Sequence, residues 1–349
     1  MESTAPLRPS RRAIVKGLAA LGANALFRGG GLRAQAASDA RRLDLHHHFA
    51  TPAWIQMVNA KRTQGYQTWQ PYTPAKSIED MDRGGVATSL ISVTTPGIWF
   101  GDKQETRRLA RELNQYGAKM VSDYKGRFGL FAVLPLPDVD ASLLEIEYAF
   151  DTLKADGVGL LSSVGNRWHG DPEFAPVFAE LNRRKAVVYT HASAPPCCQN
   201  LQPNIPEFMI EYNTDTSRSI ISLIESGRAT QCPDIRFIFS HAGGTMPSLA
   251  GRYLGAAASA ESLARPADLN SKLYHLRRFY YDTAGSTNPV QMVSLKMIVP
   301  ATQIVFGTDF PFGQSAATAQ GLQRCGFTAD ELRGIDRENA LRILPEYAA

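Results

Sequence analysis

The chain has 349 residues, 44% of them hydrophobic and 20% charged, with a net charge of +4. This is ordinary globular composition with enough apolar material for one large core, which excludes a disordered or fibrous chain. Several of the arginines lie in the first 42 residues, and no Lys/Arg stripe interleaved with aromatics runs through the rest, so the charge does not point to nucleic acid.

Residues 1–36 read as a targeting segment. Arg11-Arg12 is followed by Ala13-Ile14-Val15-Lys16, a weakly apolar run from Gly17 to Phe27, and the small-x-small pattern Ala34-Gln35-Ala36. The paired arginine resembles a twin-arginine export signal, a route taken by folded proteins, and implies a periplasmic or exported location; the alternative is a tail on a cytoplasmic protein. The run is too short to span a bilayer. The body is expected over residues 37–349.

From there, short apolar runs alternate with longer amphipathic ones, the pattern of β-α units around a parallel sheet. Eight runs read as strands: Leu43 to His48, Val86 to Val93, Phe128 to Leu134, Gly157 to Leu161, Ala186 to His191, Ile235 to His241, Phe279 to Thr283, and Gln303 to Thr308. Several are near-continuous Val/Ile/Leu/Phe, as strands buried on both faces require. Between them, Ser77-Ile78-Glu79-Asp80 reads as a capping box opening a helix that ends at Gly84-Gly85, and Thr328-Ala329-Asp330-Glu331 as a second one. Helices are also expected over Gln104 to Tyr124, Ala141 to Lys154, Pro172 to Arg184 and Met246 to Ala260. Two connections are long, Ala50 to Lys76 and Ser193 to about Asn213. The fold class is therefore α/β, a (β/α)₈ TIM-type barrel with long loops over the C-terminal face.

The seven histidines are His46, His47, His48, His169, His191, His241 and His275. Strand alternation puts His46 and His48 on one face and His47 on the other. His191 ends the fifth run, His241 the sixth, and Asp309 the eighth. In a barrel those ends converge on one mouth, where imidazoles and a carboxylate with open positions suit a catalytic Zn²⁺ or similar ion. A carboxylate beside the metal can also shuttle a proton. The cysteines, Cys197, Cys198, Cys232 and Cys325, lack C-x-x-C spacing and are expected as free thiols, with a vicinal Cys197–Cys198 bridge as the strained alternative.

His46-x-His48, His191, His241 and Thr308-Asp309-Phe310-Pro311 resemble the amidohydrolase superfamily, in its aminocarboxymuconate-semialdehyde decarboxylase type. Three further stretches resemble the 6-methylsalicylate decarboxylase-like subgroup: Thr95 to Asp102, Gly129 to Asp138, and Tyr280 to Gly285. The resemblance covers residues 42 to 346. It implies that His46, His48, His191 and Asp309 hold one divalent metal, Zn or Mn, with His241 beside it as acid/base or polarising group. Gly159-Leu160-Leu161-Ser162 offers no carboxylated-lysine ligand, which favours one metal over two. The implied activity is non-oxidative decarboxylation of a small aromatic or unsaturated carboxylic acid such as a hydroxybenzoate, with Asp309 or His241 as proton donor. The alternative is hydrolysis of a lactone or amide through a metal-bound hydroxide; a barrel that only binds its ligand is a third reading. A homodimer is implied by analogy alone.

Phe312 and Trp99 are candidates to line an aromatic pocket, and Arg62 to bind substrate. Asp44 is expected either to support a ligand histidine or to begin the strand, and Asp282 either to orient His241 or to cap a helix. His47 is expected in the barrel wall with a backbone partner, His169 at a surface or helix entry, and His275 exposed.

Overall fold

Each apolar run becomes a strand because its residues can be buried on both faces at once. The computed structural model describes residues 41–61, 66–69 and 72–348. The export-signal segment and Arg62 lie outside the described residues.

The strands are β1 (Arg42–His48), β2 (Val86–Ser92), β3 (Phe128–Val133), β4 (Gly157–Leu161), β5 (Val187–His191), β6 (Arg236–Phe239), β7 (Tyr280–Asp282) and β8 (Ile304–Val305). They form one sheet in sequential order, every pair parallel. The residues after β8 close the circle: Leu45 N donates to Phe306 O at 2.9 Å, His48 N to Phe310 O at 2.9 Å, and Asp309 N to His46 O at 2.7 Å. The fold is a (β/α)₈ barrel, as expected. A two-stranded hairpin, Ser163–Val164 with Arg167–Trp168, follows β4.

Two apolar cores result. Leu43, Leu45, Leu90, Phe131, Tyr189, Ile238 and Val305 fill the lumen. A larger cluster, including Trp54, Leu113, Phe178, Phe237 and Leu295, packs strands against the outer helices. Side-chain alternation on β1 is interrupted. The β1–β2 register shifts between Asp44 and His47, so Leu45 fills the lumen while its neighbour His46 also faces it, 5.3 Å ring to ring from Tyr189.

The helix before β2 begins earlier than expected. It spans Pro74–Gly84, with Thr73 as N-cap accepting from Lys76 N and proline in the first turn. Proline's fixed φ and missing N–H suit that position, so Ser77 lies inside the helix and caps nothing. Its hydroxyl instead meets His47 Nε2. The helix stops at Gly85, φ 65°, as the glycine pair predicts. The Thr328–Glu331 capping box forms in full. Its helix is short, Ala329–Arg333, and passes through a π-turn before Asn339–Leu341. The helix expected to Lys154 ends at Glu147 in a π-turn, and the one expected to Ala260 ends at Leu254.

Among the described residues no helix is long and apolar enough to cross a membrane. All four cysteines are free; Cys197 and Cys198 sit adjacent with Sγ atoms 2.8 Å apart.

Candidate metal centre and active site

The strand ends deliver the histidines to one point. One donor atom from each of His46, His48, His191 and Asp309 lies within 4.8 Å of the other three. His46, His48 and His191 are buried, and Asp309 is slightly open, with its side chain 18% exposed.

Each imidazole is oriented from behind. His46 Nδ1 donates to Asp282 Oδ2 at 2.7 Å. His48 Nδ1 donates to Ser92 O at 3.2 Å, and His191 Nδ1 to Ala192 O at 2.7 Å. With every Nδ1 proton committed to an oxygen, every Nε2 is turned toward the common point, the arrangement typical of metal-ligating histidines. The Nε2 atoms converge: His46 and His48 are 3.1 Å apart, and Asp309 Oδ1 lies 3.1 Å from His46, 3.0 Å from His48 and 3.9 Å from His191.

The electrostatics fit a cation. Burial pushes His48 down to about 4 and His191 to about 3, so both are neutral. Burial opposes charge on His46 as well, but the carboxylates of Asp282 and Asp309 outweigh it and raise it to about 10. Burial also opposes ionisation of Asp309, yet the charge on His46 and hydrogen bonds from the three histidines hold it well below the usual carboxylate range. Two carboxylates and three imidazoles thus surround a spot that calls for positive charge. Once an ion displaces the His46 proton, three imidazole nitrogens and one carboxylate oxygen are a fitting set for a single divalent ion. Ser162, at the end of β4, is engaged by Asp215 and Ser193 and leaves no bridging ligand for a second.

His241 joins them from the end of β6. Its ring lies 5.0 Å from that of His46 and 5.7 Å from that of His191. Its Nδ1 donates to Ala284 O at 3.0 Å, so Nε2 is its open nitrogen. Its backbone N donates to Asp282 Oδ1 at 2.9 Å. Asp282 therefore serves two residues: one oxygen fixes the His46 ring, the other fixes the His241 backbone and Ala284 N. It caps no helix.

His241 and Asp309 both have left-handed backbones, φ 54° and 63°. For non-glycine residues this is strained, and such strain gathers at functional sites. Gly307 makes the approach feasible. A Cβ there would stand 2.8 Å from His46 Cβ and 2.9 Å from Asp282 Cβ.

Asp44 touches no ligand ring. Its oxygens accept from His46 N at 3.0 Å, His47 Nδ1 at 3.0 Å, Thr308 N at 3.1 Å and Thr308 Oγ1 at 2.6 Å, and so tie β1 to the segment after β8. His47 lies in the wall, as expected, but its partners are the side chains of Asp44 and Ser77 rather than backbone. It stacks on Phe310 at 4.7 Å.

His169 is buried, not at the surface. Its Nε2 donates to Leu161 O at 2.8 Å and its Nδ1 accepts from Ser219 Oγ at 3.0 Å. His275 is buried too, against Thr230 Oγ1 at 3.0 Å. Both were misjudged because polar sequence neighbours say nothing of what packs across them.

Beside the centre lies a cavity of about 1200 Å³, with Trp99 in its lining. Phe312 stands outside it, 44% exposed, its ring 6.3 Å from that of His48 and 5.7 Å from that of Trp69.

Sequence reasoning missed Thr94, whose hydroxyl is 3.2 Å from His191 Nε2, and Tyr212, whose hydroxyl donates to Thr95 Oγ1 at 3.2 Å at the cavity edge. It also missed Asp215. That buried carboxylate accepts from Ser162 Oγ at 2.5 Å, Ser163 Oγ at 2.7 Å, Trp168 Nε1 at 2.7 Å and Ser193 Oγ at 3.3 Å, joining the ends of β4 and β5 to the helix Glu211–Glu225. The available signal was that Asp215, Ser219 and Ser222 recur at helical spacing on one face.

A family model described as amidohydrolase matches residues 43–345. Decarboxylase yanB of Aspergillus niger is 35% identical over 329 residues, covering 88% of this chain and 88% of that protein. The 6-methylsalicylic acid decarboxylase of Penicillium expansum is 33% identical over 314 residues, covering 87% of this chain and 96% of that protein. A solved dihydroxybenzoic acid decarboxylase from Polaromonas sp. JS666, with bound manganese and the inhibitor 2-nitroresorcinol, matches with a TM-score of 0.77 at 19% identity, covering 88% of this chain and 98% of its own.

Proposed function

The chain belongs to the amidohydrolase family and is a metal-dependent decarboxylase; we propose that its substrate is a small aromatic acid with a hydroxyl group beside the carboxylate. The observation that carries this reading is the convergence of three Nε2 atoms and one carboxylate oxygen within 4.8 Å, flanked by a fourth imidazole and a cavity with an aliphatic floor. His46, His48, His191 and Asp309 would hold the ion. The donor set suits Zn²⁺ and Mn²⁺ alike, and elemental analysis of protein purified without added metal tells them apart.

When bound, the ion supplies Lewis-acid charge and a template for the substrate's carboxylate and neighbouring oxygen. The protein's part is proton management. The ring carbon bearing the carboxylate must gain a proton as the bond to CO₂ breaks. Asp309 is ionised before substrate arrives. Its Oδ1 faces the histidines, so Oδ2 takes the substrate's hydroxyl proton and returns it to the ring carbon. CO₂ then departs with its carbon–carbon bond cleaved, leaving a phenolate. His241, its Nδ1 fixed by Ala284 O, would in its doubly protonated form stabilise the phenolate oxygen by donating a hydrogen bond from Nε2. Trp99 and Phe312 support the aromatic ring from the cavity side and the His48 side. Arg62 is assigned no part in this scheme.

Incubating metal-loaded protein with a panel of 2-hydroxybenzoates and measuring CO₂ tests this. No release from any of them, together with turnover of lactones or amides, overturns it in favour of hydrolysis.

The leader motif supports export of the folded enzyme. The double substitution R11K/R12K should strand the protein in the cytoplasm, and unchanged export would refute the twin-arginine reading.

A further inference from the structure

The metal donors and the cavity occupy different sectors of the barrel mouth. The donors come from β1, β5 and the segment after β8. The floor of the cavity comes from the ends of β2, β3 and β4, through Val93, Val133, Leu134, Leu136 and Leu161. The loop from Ser193 to Tyr212 roofs it, and Ile98 and Trp99 form a wall. The two sectors are contiguous. Val93 and Thr95 flank Thr94, which touches His191, and Ser193 and Ala194 lie two and three residues after His191.

A ring whose carboxylate and hydroxyl oxygens sit at the donors therefore directs its opposite side over β2–β4. There it meets about 1200 Å³ of space, more than the roughly 300–1,000 Å³ of pockets that hold drug-sized ligands. A bare or methylated hydroxybenzoate fills a small part of that. The floor side chains are mostly aliphatic, the Ser163 and Ser193 hydroxyls at its edge already bond Asp215, and the charged residues around the cavity, Lys61, Glu207 and Glu211, belong to its rim and roof. A polar extension would compete with Asp215 for those hydroxyls, whereas an apolar one would be removed from water along its length.

We propose that this cavity takes a bulky apolar substituent of the substrate, so that the preferred acids are hydroxybenzoates carrying an alkyl chain of several carbons or a group of similar bulk. The inference rests on the decarboxylase reading for its chemistry and on the cavity alone for its specificity.

Each methylene buried should raise affinity about three- to four-fold. The test uses the manganese-loaded enzyme with 2-hydroxy-4-methylbenzoate and 2-hydroxy-4-pentylbenzoate, whose substituents lie opposite the carboxylate, measuring binding by calorimetry and CO₂ release side by side. The expected result is on the order of 100-fold tighter binding of the pentyl acid at one site per chain, with a more negative heat-capacity change and a matching rise in kcat/KM carried by KM. Equal or weaker binding of the pentyl acid overturns the inference, even where both acids lose CO₂. Tighter binding of the pentyl acid with no CO₂ from either leaves the cavity assignment standing and removes the decarboxylase reading.

Discussion

At the scale of single residues, the centre is a set of imidazoles whose protons are all spoken for. His241 differs from the others in standing outside the donor cluster with an open Nε2. His241→Asn retains a side-chain N–H able to reach Ala284 O while removing the second nitrogen. We expect kcat to fall by about 10²–10⁴ with bound metal unchanged by elemental analysis; loss of metal along with activity would make His241 a ligand. His46 gives a pH signature. In metal-free protein it is raised from 6.5 to about 10, since Asp282 and Asp309 outweigh the burial that opposes its charge. Because the folded value lies above the unfolded one, its contribution to stability is full below pH 6.5 and is lost as pH rises through about 10. At pH 7 His46 therefore carries a proton that a metal ion must displace. Calorimetry in buffers of different ionisation enthalpy should show about one proton released per ion, and identical heats in every buffer would contradict this.

At the scale of elements, the strand ends were legible in the sequence and their supports were not. His46, His48, His191 and Asp309 could be found because a barrel brings consecutive strand ends together whatever lies between them. Asp282's double duty, the β1 register shift and the Asp215 cluster depend on contacts across elements far apart in sequence, which no local period encodes. The helix start at Pro74 was missed because two capping patterns overlapped and proline decided between them. His169 shows what such hidden contacts do. It pins the end of β4, through Leu161 O, to Ser219 on the helix Glu211–Glu225. Burial pushes it from 6.5 down to about 4, against the smaller opposing effects of Leu161 O and Asp215. Its neutral form is favoured by folding, so its contribution is present above pH 6.5 and lost as pH falls through about 4. Over that window it accounts for roughly 3 kcal/mol. His169→Asn should be less stable at neutral pH but flatter in urea-unfolding free energy between pH 6.5 and pH 4, and an unchanged acid slope would assign the acid sensitivity elsewhere.

At the scale of the whole molecule, the barrel is a device for holding charge in a buried place. Removing the metal should therefore be felt throughout. An ion that binds only the folded chain stabilises it by about 2.7 kcal/mol at a hundred times Kd, so the chelated protein should melt earlier and recover its Tm on adding Mn²⁺ or Zn²⁺. A Tm indifferent to metal would mean the donors are held in place by protein contacts alone. The seam between the first and last strands bears on a different matter, the making of the protein. Asp44 is bonded to Thr308, and His46 O accepts from Asp309 N, so the first ligands to leave the ribosome wait for the last one, more than two hundred and fifty residues behind. No nascent chain that ends before Asp309 can hold the complete donor set. Binding through all four donors is thereby tied to synthesis reaching the end of the eighth strand.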